Sequence, residues 1–438
     1  MPIHVVPKPH STKLRLVNDQ SAGLFSLNSM ICPESIKGVV LDGIPALGDS
    51  LHRFRRARAG APLIMWKSDV SQAYQRMPVL PYWQIRQVVT IDSYRHVDHC
   101  NLFRGRGSLK VWGAFDSLVS WIAEHKAEVF DKYNYVDNDF GFAEHADVKW
   151  YTPYSQYFPT PQACLLRLWD ELGVPHEHHK QLHGPVLPII GLDVAPNAMV
   201  VSLPAEGCTR LLAAIDEIST VTLGNRRRSL AEFQSFTGYA NWAFNVYPLL
   251  KPALSNIYEK DGWEVKPSRR DLPQCRNDLI EGALEDEFAL TDASGTGLGI
   301  YFPWLHLGFY CDLPTGAPTG TIFFFEALAI CTAIHYARVW RQAGCFVKHL
   351  AILSDNSNSV AIFKSLRTSP MYNSILKSTV DVMIDCKLDI RVDHIPGDLN
   401  VIADALSRGK LDFVREHVPG ITLLLLTPPQ DALGVSVL

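Results

Sequence analysis

The sequence predicts an α+β amino-terminal part followed by an α/β carboxy-terminal domain. Its 438 residues are enough for two to four domains. An apolar content of 47% with 20% charged residues is typical of a globular protein with an ample core. A polar stretch with scattered prolines, residues 261–287, separates the two parts, and apolar strand patterns alternate with helical patterns after it.

The formal net charge of −4 excludes an overall positive field that would draw the chain onto nucleic acid. Binding to nucleic acid would therefore depend on local basic runs. Two such runs are present, one from Arg53 to Arg58 and one from Arg226 to Arg228. Each is either a solvated face or a phosphate contact, and both interpretations stay open.

Nine cysteines are spread from Cys32 to Cys386 without a CxxC pair. The amino terminus lacks the apolar core of a secretory signal, and the longest apolar run near the end, Ile421 to Leu426, is too short to span a bilayer. We therefore expect reduced thiols in an intracellular protein, cytoplasmic or nuclear, that is neither secreted nor embedded in a membrane.

Four carboxylates of the carboxy-terminal domain fall at strand ends or on helices. Asp292 follows an apolar run and precedes a Gly-rich turn, and Glu326 lies in a helical pattern over residues 323–340. Asp355 ends a buried-strand run, and Asp404 lies in a short helix before Gly409. Hard oxygen ligands in this arrangement suit a pair of divalent cations, which can stabilise the attacking and leaving oxygens on phosphorus.

The amino-terminal part carries two further acidic turns. Asp69 ends an apolar strand and is followed by a turn that points Tyr74 back toward it, an arrangement that would hold a metal beside a sugar ring. Asp137 and Asp139 flank Asn138 in a predicted hairpin tip, where such residues are also common for turn reasons alone.

Two helices are predicted after residue 204. One spans residues 206–218, and the other runs from a capping box of Ser229 and Glu232 to residue 259. Before them, His176, His178 and His179 suggest either a metal site or a solvated loop, and the absence of further ligands at metal spacing favours the loop.

The order of these motifs resembles that of retrotransposon reverse transcriptases of the gypsy or DIRS-like, fungal kind, from about Val5 to Tyr258. The carboxylate quartet and the wording DHIPG…NVIADALSR, between Ala289 and Gly409, resemble ribonuclease H. The resemblance implies a right-hand polymerase followed by a ribonuclease H-like domain. Its parts would be fingers (1–60), palm with remaining fingers (61–203), thumb-like helices (204–260), connection (261–287), ribonuclease H-like domain (288–409) and a tail (410–438).

The resemblance further implies RNA-directed DNA synthesis with cleavage of the RNA strand in RNA–DNA hybrids. Its partners would be an RNA template, a DNA primer, the hybrid and deoxynucleoside triphosphates. Three origins of the chain stay open: a segment of a parent polyprotein, a clipped gene model or a decaying copy. Each active site would hold two ions of Mg²⁺ or Mn²⁺. The implied metal ligands are Asp69 and Asp137 in the first site and Asp292, Glu326, Asp355 and Asp404 in the second.

Other roles carry over residue by residue. His394, on a mobile loop, would assist proton transfer or product release in the nuclease. Tyr74 would exclude a ribose 2′-hydroxyl. Arg15, with Lys13 or Lys8, and Lys180 would contact the incoming triphosphate.

Two positions depart from the family pattern. Asn138 stands where the second aspartate of the hairpin tip is expected, and Arg104 stands where a glycine is expected. These departures leave two alternatives open: a hybrid-specific ribonuclease on an inactive polymerase scaffold, and a catalytically silent protein that only binds nucleic acid.

Overall fold

A computed structural model describes residues 2–7, 14–220, 229–255, 287–317, 320–344 and 347–434. The chain forms two compact units, Met1–Pro204 and Ala205–Leu438, and each is described by itself. Both mix helices with strands, which confirms the predicted α/β character. The residues predicted as thumb-like helices group with the second unit, and all of the predicted connection except Glu287 lies outside the described residues.

The first unit contains several small sheets rather than one large one. Its helices are α1 Leu27–Met30, α2 Ile44–Ala57, α3 Pro81–Gln84, α4 Ser108–Ala127 and α5 Thr160–Leu172. Its strands are β1 Ile3–Pro7, β2 Leu14–Asn18, β3 Leu63–Asp69, β4 Val88–Ile91, β5 Tyr94–Val97, β6 Tyr133–Tyr135, β7 Asn138–Glu144, β8 Val148–Tyr151, β9 Gln156–Pro159, β10 Leu182–Gly184, β11 Leu187–Ile189, β12 Leu192–Ala195 and β13 Val200–Ser202.

The central sheet of this unit has the strand order β10-β3-β7-β6 and is antiparallel throughout. Because side chains alternate across a strand, β3 buries residues on both faces. Met65 packs with Leu47 of α2 and Phe140 of β7, whereas Trp66 packs with Trp112 of α4 and residues of α5. The sheet therefore lies between two apolar layers, and only its strand ends are open to polar chemistry.

The second unit is built on one six-stranded mixed sheet. Its helices are α6 Ala205–Ser219, α7 Leu230–Ala243, α8 Ile322–Gln342, α9 Ser357–Ser365, α10 Asn373–Cys386, α11 Val401–Ser407 and α12 Leu411–His417. Its strands are β14 Phe288–Ala293, β15 Gly297–Phe302, β16 Leu307–Asp312, β17 His349–Ser354, β18 Asp389–His394 and β19 Thr422–Leu425, in the order β18-β17-β14-β15-β16-β19. β14, β15 and β16 are antiparallel neighbours, while β17, β18 and β19 join by parallel pairing.

Helices cover both faces of this sheet. Phe324, Leu328 and other residues of α8 fill the larger core together with α10, and Leu406 of α11 packs with Leu290 and Tyr301 on the other face. By length and composition alone, α8 is a candidate membrane span, but 67% of its most apolar window is buried inside the unit, as in the core helix of a globular domain.

The second thumb-like helix is shorter than we predicted. α7 begins at the expected capping box, where the Ser229 side chain accepts from the Glu232 amide, but it ends at Ala243 rather than at residue 259. Tyr247 is non-helical at φ −116° and ψ 67°, and a 3₁₀ helix, Pro248–Leu254, follows it. The reason is the proline at 248, which disfavours helical backbone in the residue before it.

Residues after 409 do not form a separate tail, in contrast to the prediction. α12 follows Gly409 directly, and β19 adds to the sheet beside β16, with Thr422 opposite Leu307. Leu426 and Leu433 are buried in the larger core. This segment has no clear hydrophobic period, because its buried apolar residues fill a sheet edge and a core gap rather than one helix face.

Candidate functional site

Three of the four carboxylates predicted in the second unit converge; together with the nearby Asp404 they form what we call the second acidic site. Asp292 lies in β14, Glu326 in the first turns of α8, and Asp355 immediately after β17. One side-chain oxygen from each residue lies within 4.8 Å of those of the other two. β14 and β17 are parallel neighbours, so their carboxyl ends meet at one edge of the sheet.

Burial and mutual repulsion both act on these carboxyls. Burial, reinforced by the charges of Asp292 and Asp355, raises the pKa of Glu326 to about 8. Burial likewise raises the pKa of Asp292 to about 6. Glu326 Oε2 is buried and has no hydrogen-bond partner among the described residues. Close carboxylates with an unpartnered oxygen offer the hard ligands that a divalent cation prefers, and such an ion would relieve their repulsion.

The surrounding residues hold the trio in place. Ser407 of α11 donates its hydroxyl to Asp292 Oδ2 at 2.5 Å. Asn400 donates its amide to the carbonyl oxygen of Thr291 at 2.9 Å, which ties the start of α11 to β14. Ser407 and Asn400 were not among the predicted site residues, although both lie in the motif that carries Asp404.

Asp404, the fourth predicted carboxylate, is not part of the trio. It lies in α11 as predicted, and its Oδ1 accepts from Arg408 Nε at 2.7 Å. Its charge contributes to the raised pKa of Asp292, so it lies close to the site. Arg408 lies four residues after Asp404, about one helical turn further along, and therefore forms an ion pair with it. This ion pair occupies the Asp404 carboxylate, which is not one of the three that converge.

His394 is not on a loop, contrary to the prediction. It is the last residue of β18, paired with Ser354 of β17, and its side chain is exposed. The loop expected at this position begins one residue later, because β18 extends its pairing with β17 to the end of that strand. His394 therefore lies on the strand next to the one that leads into Asp355.

The first unit brings Asp69 and Asp137 together at the end of its central sheet; with Lys67, Lys180 and Asn138 they form what we call the first acidic site. Asp69 ends β3 opposite Asn138 of β7, and Asp137 lies in the turn between β6 and β7. The Val70 amide donates to the Asp137 carbonyl at 3.0 Å. Burial, and then the charge of Asp69, raises the pKa of Asp137.

Tyr74 and Lys180 both lie at this site. Tyr74 is 9% exposed, and burial together with the charge of Asp137 raises its pKa to about 12, which places the phenol near that carboxylate. Its ring packs edge-on against Phe103, with centroids 5.1 Å apart. Lys180 Nζ forms an ion pair with Asp69 Oδ1 at 2.7 Å.

A second lysine, Lys67, belongs to the site and was missed. It lies two residues before Asp69 on β3 and so shares its face of the strand. Burial lowers the pKa of Lys67, and the nearby negative charges of Asp69 and Asp137 oppose that shift. The sequence does contain an indication of this role, because a lysine two residues before an aspartate at a strand end shares its face of the strand.

Asp139 cannot serve this site in the observed conformation. It lies on the opposite face of β7 from Asn138, where it forms a buried ion pair with Lys132. Successive side chains of β7 lie on opposite faces of the sheet. A carboxylate at residue 139 rather than 138 therefore lies on the other face. Asn138 remains on the side of Asp69 and donates its amide to Asp137 Oδ1 at 2.9 Å.

The other predicted nucleotide contacts are less well placed. Arg15 lies in β2 opposite Val6, and Lys13, Lys8 and the run from Arg226 to Arg228 lie outside the described residues. In the remaining basic run, Arg55 donates to Asn197 and Arg58 pairs with Glu144, so these two side chains make internal contacts.

Arg104 adopts the backbone conformation that a glycine would favour. Its φ is +68°, in the left-handed region where side chains other than glycine are uncommon. Asn28 fixes this loop, because its amide nitrogen donates to the Arg104 carbonyl at 3.0 Å and its oxygen accepts from the Arg106 amide at 2.7 Å. The loop therefore keeps the glycine-type backbone despite the substitution.

The His-rich segment is not simply a solvated loop, and the expectation was wrong for His176. The His176 side chain is 6% exposed and lies 3.1 Å from Asp170 Oδ1 and 2.6 Å from the Tyr154 hydroxyl. His179, by contrast, is 73% exposed. His176 bridges to Val70, next to Asp69, so the segment braces the turn that carries the first acidic site.

No family model and no curated protein matches the chain. Two solved structures of foamy viral protease-reverse transcriptase are similar to it. One, in complex with double-stranded DNA, is 15% identical with a TM-score of 0.44 and covers 90% of this chain and 65% of that chain. The other, in complex with an RNA/DNA hybrid, is 14% identical with a TM-score of 0.43 and covers 90% of this chain and 50% of that chain.

The chain thus spans less than two thirds of the length of each of these two proteins. LC11-RNase H1 in complex with an RNA/DNA hybrid is 14% identical with a TM-score of 0.23, covering 29% of this chain and 96% of that chain. None of these structures is described as a gypsy or DIRS-like element, so that subtype stays a prediction.

Proposed function

We propose that the chain is an RNA-directed DNA polymerase whose second unit is a ribonuclease H. It would copy an RNA template from a DNA primer with deoxynucleoside triphosphates and cleave the RNA strand of the resulting hybrid. We further propose a gypsy or DIRS-like retrotransposon origin and an intracellular location. Both activities would depend on divalent cations, Mg²⁺ or Mn²⁺.

The observation that carries this proposal is the convergence of Asp292, Glu326 and Asp355, with oxygens within 4.8 Å of one another. Buried carboxylates this close repel one another, and an apolar replacement would stabilise the fold better. Their convergence at the edge of a sheet is best explained by a cation that binds there. A pair of such ions, when bound, activates the attacking water and neutralises the leaving oxygen on phosphorus.

In the second acidic site, the residues of the chain have distinct tasks. Asp292, Glu326 and Asp355 would hold the ions, and Ser407 would keep the Asp292 carboxylate oriented through its hydrogen bond at 2.5 Å. Asp404, once its ion pair with Arg408 opens, would supply a further oxygen. His394 is exposed on the neighbouring strand, where it would accept or return a proton at the cleaved strand.

In the first acidic site, Asp69 and Asp137 would hold the metal of the incoming triphosphate. Tyr74 is buried against Phe103 beside Asp137, so it would restrict the space next to a nucleotide sugar and exclude a 2′-hydroxyl. Lys180, which pairs with Asp69 in the free protein, would turn to a phosphate oxygen when the nucleotide binds. Arg15, with Lys13 or Lys8, would bind the same triphosphate.

The test is primer extension on an RNA template by the purified chain, with cleavage of the hybrid measured in the same reaction. Asp69→Asn should abolish extension and leave cleavage, and Asp292→Asn should abolish cleavage and leave extension. The two substitutions are matched because each removes one charge from one site without changing its size.

The alternative of a ribonuclease on an inactive polymerase scaffold is favoured by Asn138 and by the side chain that Arg104 adds at a position where a glycine is expected. Cleavage that requires Asp292, without extension under any divalent metal, would establish that alternative. Binding of the hybrid with neither activity would identify a silent nucleic-acid-binding protein and overturn the proposed function.

A further inference from the structure

We propose that the first acidic site holds one divalent cation rather than two, and that the Lys67 ammonium supplies the second positive charge. This inference rests on the proposed polymerase function and concerns the same site. The two acidic sites would then differ in the number of ions they bind, since the second site keeps the ligands for a pair.

The supply of oxygen ligands limits the first site. Two ions about 3.5–4 Å apart need several shared and unshared carboxylate oxygens. Asp69 and Asp137 are two carboxylates at this sheet end, and the next aspartate along the chain, Asp139, lies on the other face of β7. Its carboxylate is 1% exposed and is paired with Lys132, which is 5% exposed, so releasing it would leave a buried ammonium unpaired.

The residue in place of the missing carboxylate acts against a second ion. Asn138 lies opposite Asp69 and directs its amide nitrogen at Asp137 Oδ1, 2.9 Å away. This hydrogen bond occupies a carboxylate oxygen that a second ion would need. The Asn138 Oδ1 atom is buried without a hydrogen-bond partner in the described part of the chain, and an amide oxygen is a neutral ligand suited to one hard cation.

The lysine side chains near Asp69 and Asp137 also disfavour a second ion. Lys67 lies two residues before Asp69 on β3 and so shares its face of the strand, and Lys180 contacts Asp69 at 2.7 Å. Burial lowers the pKa of Lys67, and the negative charges of Asp69 and Asp137 oppose that shift. The two carboxylates therefore already face two ammonium groups. The second acidic site has three convergent carboxylates, and the nearby cation, Arg408, is paired with Asp404 rather than with any of the three. Since like charges repel at short range, Lys67 disfavours a second divalent ion beside it.

The experiment counts bound Mn²⁺ by electron paramagnetic resonance on the full chain. The second site is first disabled by Asp292→Asn with Glu326→Gln. The sample contains an RNA–DNA primer-template and a non-hydrolysable deoxynucleoside triphosphate, and Asp69→Asn on the same background gives the Mn²⁺ carried by nucleotide and nucleic acid alone. We expect one Mn²⁺ per chain above that control.

Adding Asn138→Asp and Lys67→Met gives the site a third carboxylate, the second at the hairpin tip, and removes the ammonium, so the count should rise to two. The matched control combines Asn138→Asp with Lys126→Met and keeps Lys67. Its count of bound Mn²⁺ should stay below two. Thermal unfolding of each variant shows whether it is folded, and the count on the parent background stands even if the combined variant does not fold.

Two Mn²⁺ ions on the parent background would overturn the single-ion inference and leave the polymerase function standing. No Mn²⁺ above the Asp69→Asn control, with the triphosphate unbound, would overturn both. One Mn²⁺ that persists unchanged in the folded Asn138→Asp, Lys67→Met variant would show that Lys67 and Asn138 do not set the number of ions.

Discussion

Gly299 of β15 packs directly against the backbone of α11 at Ala403: a Cβ atom at residue 299 would lie 2.3 Å from the Ala403 carbonyl oxygen. It would also lie 2.6 Å from the Ser407 amide nitrogen. The absence of a side chain at 299 thus lets the helix that carries Asp404 and Ser407 lie against the strand next to Asp292.

Gly299→Ala should therefore destabilise the second unit and displace α11. The neighbours are backbone atoms, which cannot rotate away, so we expect a loss of about 3 kcal/mol, the upper end of the range for overpacking. Urea unfolding measures the loss, and the stabilisation by Mg²⁺ should fall with it. Gly295→Ala is the control, because a Cβ there meets nothing within 4 Å and the change should stay within about 0.5 kcal/mol.

Glu326→Gln should stabilise the ion-free protein and remove most of its response to Mg²⁺. The substitution keeps the shape but removes a carboxyl that folding must either bury as a charge repelled by Asp292 and Asp355 or protonate well above its ordinary pKa. At 100 times the dissociation constant, Mg²⁺ should stabilise the unaltered protein by about 2.7 kcal/mol. Thermal unfolding with and without MgCl₂ tests this, with Glu416→Gln as the exposed control. A full Mg²⁺ response in Glu326→Gln would contradict the assignment of Glu326 as a ligand.

The stability of the ion-free protein should fall as the pH rises from about 4.5 to 8. In the folded protein, burial and the neighbouring carboxylates raise the pKa of Glu326 from 4.5 to about 8. The folded state therefore holds this proton more tightly than the unfolded state, and its contribution is complete below pH 4.5 and lost as the pH passes 8.

Stabilisation by Mg²⁺ should rise over the same interval, because the ion competes with that proton. Thermal unfolding at pH 5.5, 7 and 8.5, with and without Mg²⁺, measures both trends. In Glu326→Gln this part of the pH dependence should disappear. If Mg²⁺ stabilised the protein equally at pH 5.5 and 8.5, protonation of Glu326 would not compete with Mg²⁺ binding.

The strand-end carboxylates could be predicted because their signals are local. Asp355 follows an apolar run and precedes the Asn356 cap, whose side chain accepts from the Ser359 amide as the sequence indicates. Glu326 lies in an uninterrupted helical pattern. For such residues, a short window of sequence fixes both the element and the position within it.

The other features depend on partners distant in the sequence. The register of β7 against β3 fixes the face of the sheet on which Asp139 lies. The spacing of residues at the hairpin tip does not show that Asp139 forms an ion pair with Lys132. His176 is buried because Asp170 and Tyr154 pack around it, and β19 forms because the edge of β16 is free to accept it. Long-range pairing of this kind leaves no periodic signal in the segment itself.

Lys132→Met should cost the first unit about 3–5 kcal/mol, because it leaves Asp139 as an unpaired buried charge. Burial, and next the charge of Asp139, already raises the pKa of nearby Asp116 to about 7, so a second negative charge nearby makes the loss worse. Urea unfolding measures the cost. Lys37→Met, which breaks an exposed pair with Glu34, is the control and should change stability by less than about 1 kcal/mol.

Lys132→Met with Asp139→Asn should recover most of that loss, since the amide carries no charge. If instead Lys132→Met costs no more than the Lys37→Met control, Asp139 is free to leave its buried position. It would then be available to the first acidic site, and a second ion there would become possible. The stability of one buried ion pair thus decides how many carboxylates the first acidic site can use.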